Sequence, residues 1–291
     1  MNNNEPPLLD KHQVRRAFDR AAGTYDNFAA LQYEVADRLL ERLEVMNIDI
    51  RTVLDVGCGT GYCTRRLEKR CKRAKIIGLD LAPAMVRVAK GQNSWRRKGI
   101  YLAGDAESLP IASGSVDLVF SNLALQWCDP DAVFREFARV LRPGGTILFS
   151  TFGPDTLHEL RQAWHEVDEL PHVHDFVDMH DLGDALMRAG LIEPVMDREN
   201  LILEYIDVTA VMRDLKGVGA HNVAPNRARG LSGKSTFTRF KTAYMAMASN
   251  GKIPATYDAI YGHAWARQAL PGEDNGDSYR IPISAISGRN R

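Results

Sequence analysis

The fold is decided by the stretch Val53-Leu54-Asp55-Val56-Gly57-Cys58-Gly59-Thr60-Gly61, in which a short apolar run carries an acidic residue and leads into three glycines at alternate positions. The apolar, β-branched run predicts a buried strand, and the residues from 62 to about 73 predict a helix. The glycines permit a tight turn and leave no Cβ to keep a ligand away from the backbone. Together these features predict a site for the polar part of a nucleotide-like ligand.

The composition is that of an ordinary globular chain. Its 291 residues suffice for one large α/β domain, with or without a cap. The 37 basic and 37 acidic side chains cancel, which argues against a general nucleic-acid binder, because phosphate-driven affinity needs a basic excess. No apolar run approaches the length of a membrane span, and the polar N-terminal residues are unlike a signal peptide. We therefore expect a cytoplasmic protein with neither nucleic-acid nor membrane partners.

The cysteines and histidines do not predict a metal site. The cysteines lack a C-x-x-C pair and are too few for a secreted disulfide scaffold, so we expect free thiols at Cys58, Cys63, Cys71 and Cys128. Histidines are dense between residues 158 and 180 but include no helical pair four residues apart. These histidines are His158, His165, His172, His174 and His180.

Polar residues recur where predicted strands end. Further strands are expected at 75–80, 101–105, 117–122 and 146–152, with helices at about 83–90 and 129–141 between them. This alternation predicts an α/β fold with a doubly wound, mostly parallel sheet. Asp55, Asp80 and Asp105 end three successive strands and Asn122 ends a fourth. Any one of them could be a plain helix N-cap, but three acids in series at one sheet edge indicate a ligand site.

The pattern D-x-G-x-G-x-G from Asp55 to Gly61 resembles motif I of the class I S-adenosylmethionine-dependent methyltransferases, and the resemblance is continuous over residues 51–152. It implies S-adenosyl-L-methionine as cofactor and S-adenosyl-L-homocysteine as product. It also implies Asp55 at the methionine end of the cofactor, Asp80 on the ribose, Asp105 near the adenine amino group and Asn122 on the pocket floor. The full set of implied cofactor residues is Asp55, Gly57, Cys58, Gly59, Gly61, Asp80, Leu81, Asp105, Ala106 and Asn122.

The segments around this core predict a lid and a substrate-binding half. Amphipathic helices are expected at about 11–22 and 28–45, joined by a turn that carries Tyr25. Tyr25 could be a surface residue at a helix end, or, as the resemblance implies, part of a lid over the cofactor's methyl group. We expect a lid over 1–50, a cofactor-binding core over 51–152, a substrate half over 153–270 and a flexible tail over 271–291.

The substrate half should complete a seven-stranded sheet. Helices are expected at 154–170 and 179–189, and strands at 200–205 and 254–265. Two helices, at 207–217 and 234–249, and a basic loop at 219–233 are inserted between these last two strands, on the ligand side.

The sequence offers no strong base for the acceptor of a methyl group. It has no Ser-His-Asp arrangement and no histidine near the strand ends. A carboxylate acceptor needs no base because it is already ionised at neutral pH, but it needs cations and hydrogen-bond donors to orient it. The inserted segment supplies Arg213, Lys216, Arg227 and Arg229. Arg213 and Lys216, three residues apart, should share a helix face, which could also be simply solvated.

Five sequence segments are similar to the malonyl-acyl-carrier-protein O-methyltransferases of biotin synthesis, and this resemblance covers nearly the whole chain. They lie at 122–128, 153–160, 213–220, 254–257 and 261–265. The resemblance implies methylation of the free carboxylate of a malonyl thioester, which then primes elongation like a plain acyl group. It implies Arg213 and Tyr25 as catalytic residues, and a substrate pocket formed by Tyr205, Arg213, Lys216 and Trp127.

An acyl-carrier protein bearing malonyl is the implied partner. Such carriers are acidic, so a basic docking surface is expected. Two stretches qualify, residues 65–73 and residues 227–241, and the second is preferred because it lies nearer the expected substrate entrance.

Other interpretations remain open at this point. The C-terminal segments also resemble a mitochondrial complex I assembly factor that is associated with arginine hydroxylation. Methyltransferases of quinone precursors have motifs similar to those of residues 105–122. A nucleotide-dependent dehydrogenase is disfavoured by the glycine spacing and by Asp55. A non-catalytic binding module is least expected, because the cofactor-edge residues are complete.

Overall fold

One twisted sheet organises the chain in the computed structural model, which describes residues 9–46, 48–93, 99–220 and 233–268. Within these ranges seven strands pair in the order β3-β2-β1-β4-β5-β7-β6. The strands are β1 Thr52–Val56, β2 Lys75–Asp80, β3 Ile100–Ala103, β4 Val116–Asn122, β5 Leu141–Phe152, β6 Ile192–Tyr205 and β7 Ile253–Trp265. The first five are mutually parallel, and β7 runs antiparallel between β5 and β6. This confirms the predicted fold class.

Helices cover both faces of the sheet. They are α1 Lys11–Ala21, α2 Ala30–Glu44, α3 Tyr62–Arg70, α4 Pro83–Gly91, α5 Pro130–Val140, α6 His158–His165, α7 Met179–Arg188, α8 Val208–Gly217 and α9 Lys234–Met245. The inner strand β1 is buried on both sides, which explains why its sequence is apolar without alternation, apart from Asp55. As predicted, α8 and α9 are inserted between β6 and β7.

Two apolar cores hold the layers together. On one face of the sheet Leu39 of α2 and Leu67 of α3 pack in a cluster with Phe120 of β4. On the other face Phe134 of α5 and Leu186 of α7 belong to a second cluster. Because residues alternate between the faces of a strand, β4 contributes to both cores.

Some predicted boundaries were wrong. The strand predicted over 146–152 begins earlier, at Leu141, and residues 142–145 form a bulge within it, since Leu141 pairs with Val116 and Thr146 with Leu118. The helix expected over 154–170 is limited to α6, because Leu157 has a φ of 55°, outside the helical range. β3 ends at Ala103, so Asp105 lies two residues beyond its strand.

Two expectations fall outside the described residues. They are the conformation of the basic loop over 221–232, with Arg227 and Arg229, and that of the tail beyond residue 268. In the described part of the chain no helix combines the length and apolarity needed to span a membrane.

Candidate active site

The glycine turn after β1 is shaped to admit a ligand. Gly57, Gly59 and Gly61 all have positive φ values, of 73°, 54° and 86°. A Cβ on Gly57 would lie 2.3 Å from that of Ala124, whereas one on Gly59 would meet nothing within 4 Å. Gly61 is the N-cap of α3, so the turn ends at a helix N-terminus. The middle of the turn therefore faces open space beside backbone N–H groups.

Asp80, at the end of β2, fixes the position of this turn. Its Oδ2 accepts a hydrogen bond from the N–H of Gly59 at 2.8 Å, and its Oδ1 accepts one from the N–H of Ala82 at 2.8 Å. Burial raises the pKa of this carboxyl to about 6, and the two backbone hydrogen bonds oppose that rise. The side chain is only partly covered, so it can also accept hydrogen bonds from a bound ligand.

Asp55 lies beneath the turn rather than in open space. It is 1% exposed, and its Oδ2 accepts a hydrogen bond from Thr64 Oγ1 of α3 at 2.5 Å. Burial raises its pKa to about 7, with the nearby Asp80 charge adding to the rise. The Cys58 side chain is buried as well, in a cluster with Val86 and Tyr101, so only its backbone is available at the turn.

The other predicted cofactor residues lie along the same sheet edge. Asp105 is paired with Lys11 of α1, whose Nζ lies 2.5 Å from Asp105 Oδ1. Asn122 links three elements, because its Oδ1 accepts a hydrogen bond from Ser150 at 2.8 Å and its Nδ2 donates to the carbonyl of Gln32 at 3.1 Å. Ala106 is buried in the second core, and Leu81 is half-buried.

A largely apolar cavity of about 410 Å³ opens beside this edge. The N-terminal segments, the residues after β4, α6, β6 and α8 all contribute to its walls. It brings together four sequence-predicted residues that are far apart in the chain, namely Tyr25, Trp127, Tyr205 and Lys216. Trp127 is held edge-on by Phe18 of α1, with ring centroids 5.5 Å apart, so the N-terminal helices form one wall of this cavity.

The tyrosines of the cavity are neutral hydrogen-bonding groups. Burial raises the pKa of Tyr25 far above its usual value. Tyr205 forms hydrogen bonds with the side chains of Asp214 and Tyr257, and burial raises its pKa to about 12. Neither phenol is a base at neutral pH, which agrees with an acceptor that needs no deprotonation.

Arg213 and Lys216, three residues apart on α8, lie about 60° apart around the helix, as their spacing predicts. Both side chains are exposed, but of the two only Lys216 lines the cavity. Among the described residues, the cation in the cavity lining is therefore Lys216.

Sequence reasoning missed several polar groups of the cavity. Gln32, Gln126, Thr156, His172 and His174 all belong to its lining. The sequence signal for the two histidines is the density of histidines between residues 158 and 180, which by itself indicates no more than a possible metal site. Within the described residues no group of three or more metal-ligating side chains comes together, and the four cysteines are free thiols.

Two cations of the first candidate docking stretch have acidic partners, since Arg66 lies 3.3 Å from Asp37 and Arg70 pairs with Glu44. Arg65 donates instead to the carbonyl of Thr60. In the second stretch the described part is α9, where Lys234 and Arg239 are exposed.

Solved structures with this architecture include methyltransferase-fold proteins of distant sequence. The YcgJ protein from Bacillus subtilis is 18% identical, with a TM-score of 0.58 over 79% of this chain and 98% of that one. The [4+2]-cyclase SpnF is 20% identical, with a TM-score of 0.59 over 91% of this chain and 100% of that one. At these identities the likeness establishes the fold alone.

Sequence relatives are much closer. Residues 54–149 match the model of a methyltransferase domain. A malonyl-acyl-carrier protein O-methyltransferase from Laribacter hongkongensis is 49% identical over 90% of this chain and 91% of its own. One from Halorhodospira halophila is 45% identical over the full length of both, and one from a Methylovorus species is 49% identical over 91% and 93%. These names favour the methyl-ester interpretation over the hydroxylase, quinone, dehydrogenase and binding-module alternatives. By this similarity, the chain belongs to the malonyl-acyl-carrier protein O-methyltransferase family.

Proposed function

We propose that this protein, acting in the cytoplasm, transfers a methyl group from S-adenosyl-L-methionine to the free carboxylate of a malonyl group on an acyl-carrier protein, in biotin synthesis. The observation that carries this proposal is the joining of two features at one sheet edge. A glycine turn with open space beside it lies at the same edge as an apolar cavity whose lining includes Leu123, the residue after Asn122. Among the described residues, this cavity is lined by neutral tyrosines and by one lysine. Nucleic-acid and membrane partners have no part in this proposal.

The residues at the edge fit the cofactor. Gly59 has no Cβ and faces open space, so the cofactor can approach its backbone. Asp80 presents a carboxylate that can accept hydrogen bonds from ribose hydroxyls. Asp55, beneath the turn, supports it by accepting a hydrogen bond from Thr64. Asp105 offers an acceptor for an adenine amino group, and Asn122 forms the floor. When bound, the cofactor supplies an electrophilic methyl group on a sulfonium.

The cavity suits an ionised acceptor. A malonyl carboxylate is already a nucleophile at neutral pH, so the protein has to orient it and to exclude water. Tyr25 and Trp127 stand where the N-terminal wall meets the segment after β4, and they restrict the approach of the acceptor. Lys216 supplies the attractive charge, and Tyr205, whose hydroxyl donates to Asp214, is held in place as part of the cavity wall.

The carrier protein docks on the second basic stretch in this proposal. α9 contacts both α6 and α8, which line the cavity, so a carrier bound there lies beside the entrance. Lys234, Arg239 and Lys241 give this helix three cations and its own sequence contains no acid. An acidic partner would be steered to such a surface, with an affinity that falls as salt is added.

The test is a methyl-transfer assay with labelled S-adenosyl-L-methionine. Purified protein receives malonyl-carrier protein, malonyl-coenzyme A or free malonate, and the product is analysed as a base-labile ester. We expect label on the carrier-bound malonyl group above all. Lys216→Ala should raise the KM for that substrate by about 3- to 10-fold, the scale of one charge interaction. Arg213→Ala serves as the matched control on the same helix, with an expected change below about twofold.

Two outcomes would contradict the proposal. Cofactor binding without any labelled ester would retain the fold and reject the substrate. A larger effect of Arg213→Ala than of Lys216→Ala would reject the assignment of Lys216 and restore the original expectation for Arg213.

A further inference from the structure

His174 is a buried imidazole inside the cavity. Only 8% of its surface is exposed, and it belongs to the cavity lining. Its ring lies against Trp127, with centroids 4.9 Å apart, and against Phe176 at 4.5 Å. Two aromatic neighbours therefore fix the ring position.

The Nε2 atom of His174 is buried and has no hydrogen-bond partner within the described part of the chain. Buried polar atoms are nearly always paired, because an unpaired one loses its bond to water without replacement. Burial also lowers the pKa of this imidazole to about 4, so the ring is neutral at physiological pH. A neutral imidazole can carry its proton on Nε2 and act as a single donor.

The neighbouring histidine shows that this lack of a partner is specific. His172 lines the same cavity, but its Nε2 lies 2.8 Å from Asp168 Oδ1, and its ring stacks on Trp164 with centroids 3.7 Å apart. Its hydrogen bond is thus made within the protein. His174 is the histidine left with capacity for a ligand.

The position of His174 indicates which part of the substrate it meets. Trp127, its ring neighbour, follows β4 by five residues, and β4 ends at Asn122 on the cofactor edge. His174 therefore lies on the cofactor side of the cavity, where the acceptor group has to be. We propose that His174 Nε2–H donates a hydrogen bond to one oxygen of the malonyl carboxylate and so presents the other oxygen for methylation. This inference rests on the proposed function.

The chemistry of this arrangement balances without an added base. The free carboxylate oxygen forms a bond to the methyl carbon while the bond from that carbon to sulfur breaks. The electron pair of the broken bond remains on sulfur, and no proton moves. His174 keeps its proton throughout, as a donor that orients the carboxylate without cancelling its charge. The methyl ester is a weaker acceptor than the carboxylate, so its hold on His174 is reduced after transfer.

A matched pair of variants separates this role from packing. His174→Gln keeps an N–H donor, whereas His174→Met has a similar unbranched shape and no donor. His180→Met, at an exposed position of α7, controls for the chemical change alone. For each variant, binding of S-adenosyl-L-homocysteine is measured first, and then kcat/KM for malonyl-carrier protein and the dissociation constants of malonyl-pantetheine and of its methyl ester.

We expect His174→Met to lower kcat/KM by about 10- to 100-fold, the range for a hydrogen bond to a charged group. His174→Gln should recover a substantial part of that loss, and binding of S-adenosyl-L-homocysteine should stay within about twofold. His174→Met should weaken the binding of malonyl-pantetheine far more than the binding of its methyl ester.

The inference would be overturned by equal kcat/KM values for the Gln and Met variants. It would also be overturned if His174→Met weakened the binding of malonyl-pantetheine and of its methyl ester equally. If the wild-type protein methylates malonyl-carrier protein and His174→Met does so equally well, the inference alone fails. If the wild-type protein neither binds nor methylates any malonyl thioester, the proposed function fails, and the role of His174 fails with it.

Discussion

Lys11 Nζ lies 2.5 Å from Asp105 Oδ1 and 2.8 Å from Glu107 Oε1, so one cation of α1 joins two carboxylates of the loop after β3. The sequence-based resemblance implies that Asp105 meets the adenine amino group. The N-terminal helix is thus fastened to the cofactor edge at a carboxylate proposed to bind the cofactor. Opening of this helix and binding at this edge should be linked through Lys11.

The ion pair of Lys11 can be tested by amide hydrogen exchange. We expect Lys11→Met to speed exchange across α1 by about 2- to 5-fold, which is the size of a partly exposed ion pair. Arg15→Met is the control, because Arg15 faces Asp19 of its own helix at 3.6 Å and, within the described residues, forms no ion pair with another element. Equal exchange in the two variants would show that Lys11 does not hold the helix.

Asp80 should couple cofactor affinity to the shape of the glycine turn. In Asp80→Asn one of the two backbone N–H groups loses its acceptor, so we expect a loss of about 1–3 kcal/mol in unfolding free energy. Affinity for S-adenosyl-L-homocysteine should fall at least about tenfold, measured by calorimetry. Asp117→Asn is the control at the opposite sheet edge, where Asp117 Oδ2 accepts from Arg51 and Thr52 at 2.9 and 2.7 Å. It should lose stability but keep its affinity.

The raised pKa of Asp55 predicts a specific pH dependence of stability. Its folded value of about 7 lies above the ordinary 3.8, so the folded state binds more protons between these values. The contribution of Asp55 is therefore full below pH 4 and is lost as the pH rises towards 7. Relative to Asp55→Asn, the unfolding free energy of the wild type should fall by up to about 1.4 kcal/mol per pH unit in that window. Urea titrations at several pH values measure this difference.

Asp49→Asn is the control for that experiment, because the Asp49 side chain is 80% exposed. Its stability curve should run parallel to that of the wild type. Parallel curves for Asp55→Asn as well would mean that Asp55 is ionised in the folded protein across this range.

Gly217, the last residue of α8, marks a close approach between the insertion and the N-terminal segment. A Cβ there would lie 2.3 Å from Cγ of Phe28, a ring that lines the cavity. We expect Gly217→Ala to destabilise the protein by about 1–3 kcal/mol, because the ring has to move within a packed wall. Gly183→Ala, inside α7 with nothing within 4 Å, should instead stabilise by up to about 1 kcal/mol. Thermal unfolding of both variants measures these changes, and a Gly217→Ala protein as stable as the wild type would contradict the prediction.

The cofactor edge could be predicted from sequence because its signals are local. The glycines of the turn are spaced two residues apart, and each acid lies at or just after the end of its predicted strand. The bounds of β2 were predicted to the residue, and those of β1, β4 and α1 to within a residue or two. In an open parallel sheet, strand order alone then brings Asp55, Asp80 and Asn122 to one edge.

The substrate side could not be predicted to the same depth, because it depends on contacts between distant segments. Lys11 meets Asp105 across 94 residues, which no local pattern encodes. Helical spacing predicts one face for Arg213 and Lys216, but it does not tell which of the two lines the cavity, and in the structure that residue is Lys216. His174 is marked by a missing hydrogen bond, and such an absence becomes visible only when the neighbours are known.

The pairing of Tyr205 with Ile253 has a consequence for how this family can change its substrates. These residues lie where the chain enters and leaves the inserted segment, and they are held side by side by neighbouring strands. The segment between them is thus a closed loop on a rigid base, and loop-closure entropy changes only slowly with its length. Residues 206–252 can therefore change in length at small entropic cost while β1, β2 and the glycine turn keep their geometry, provided that Val208, Val211, Phe240 and Tyr244 keep their places in the core. Such changes would alter the acceptor pocket without altering the site for the methyl donor.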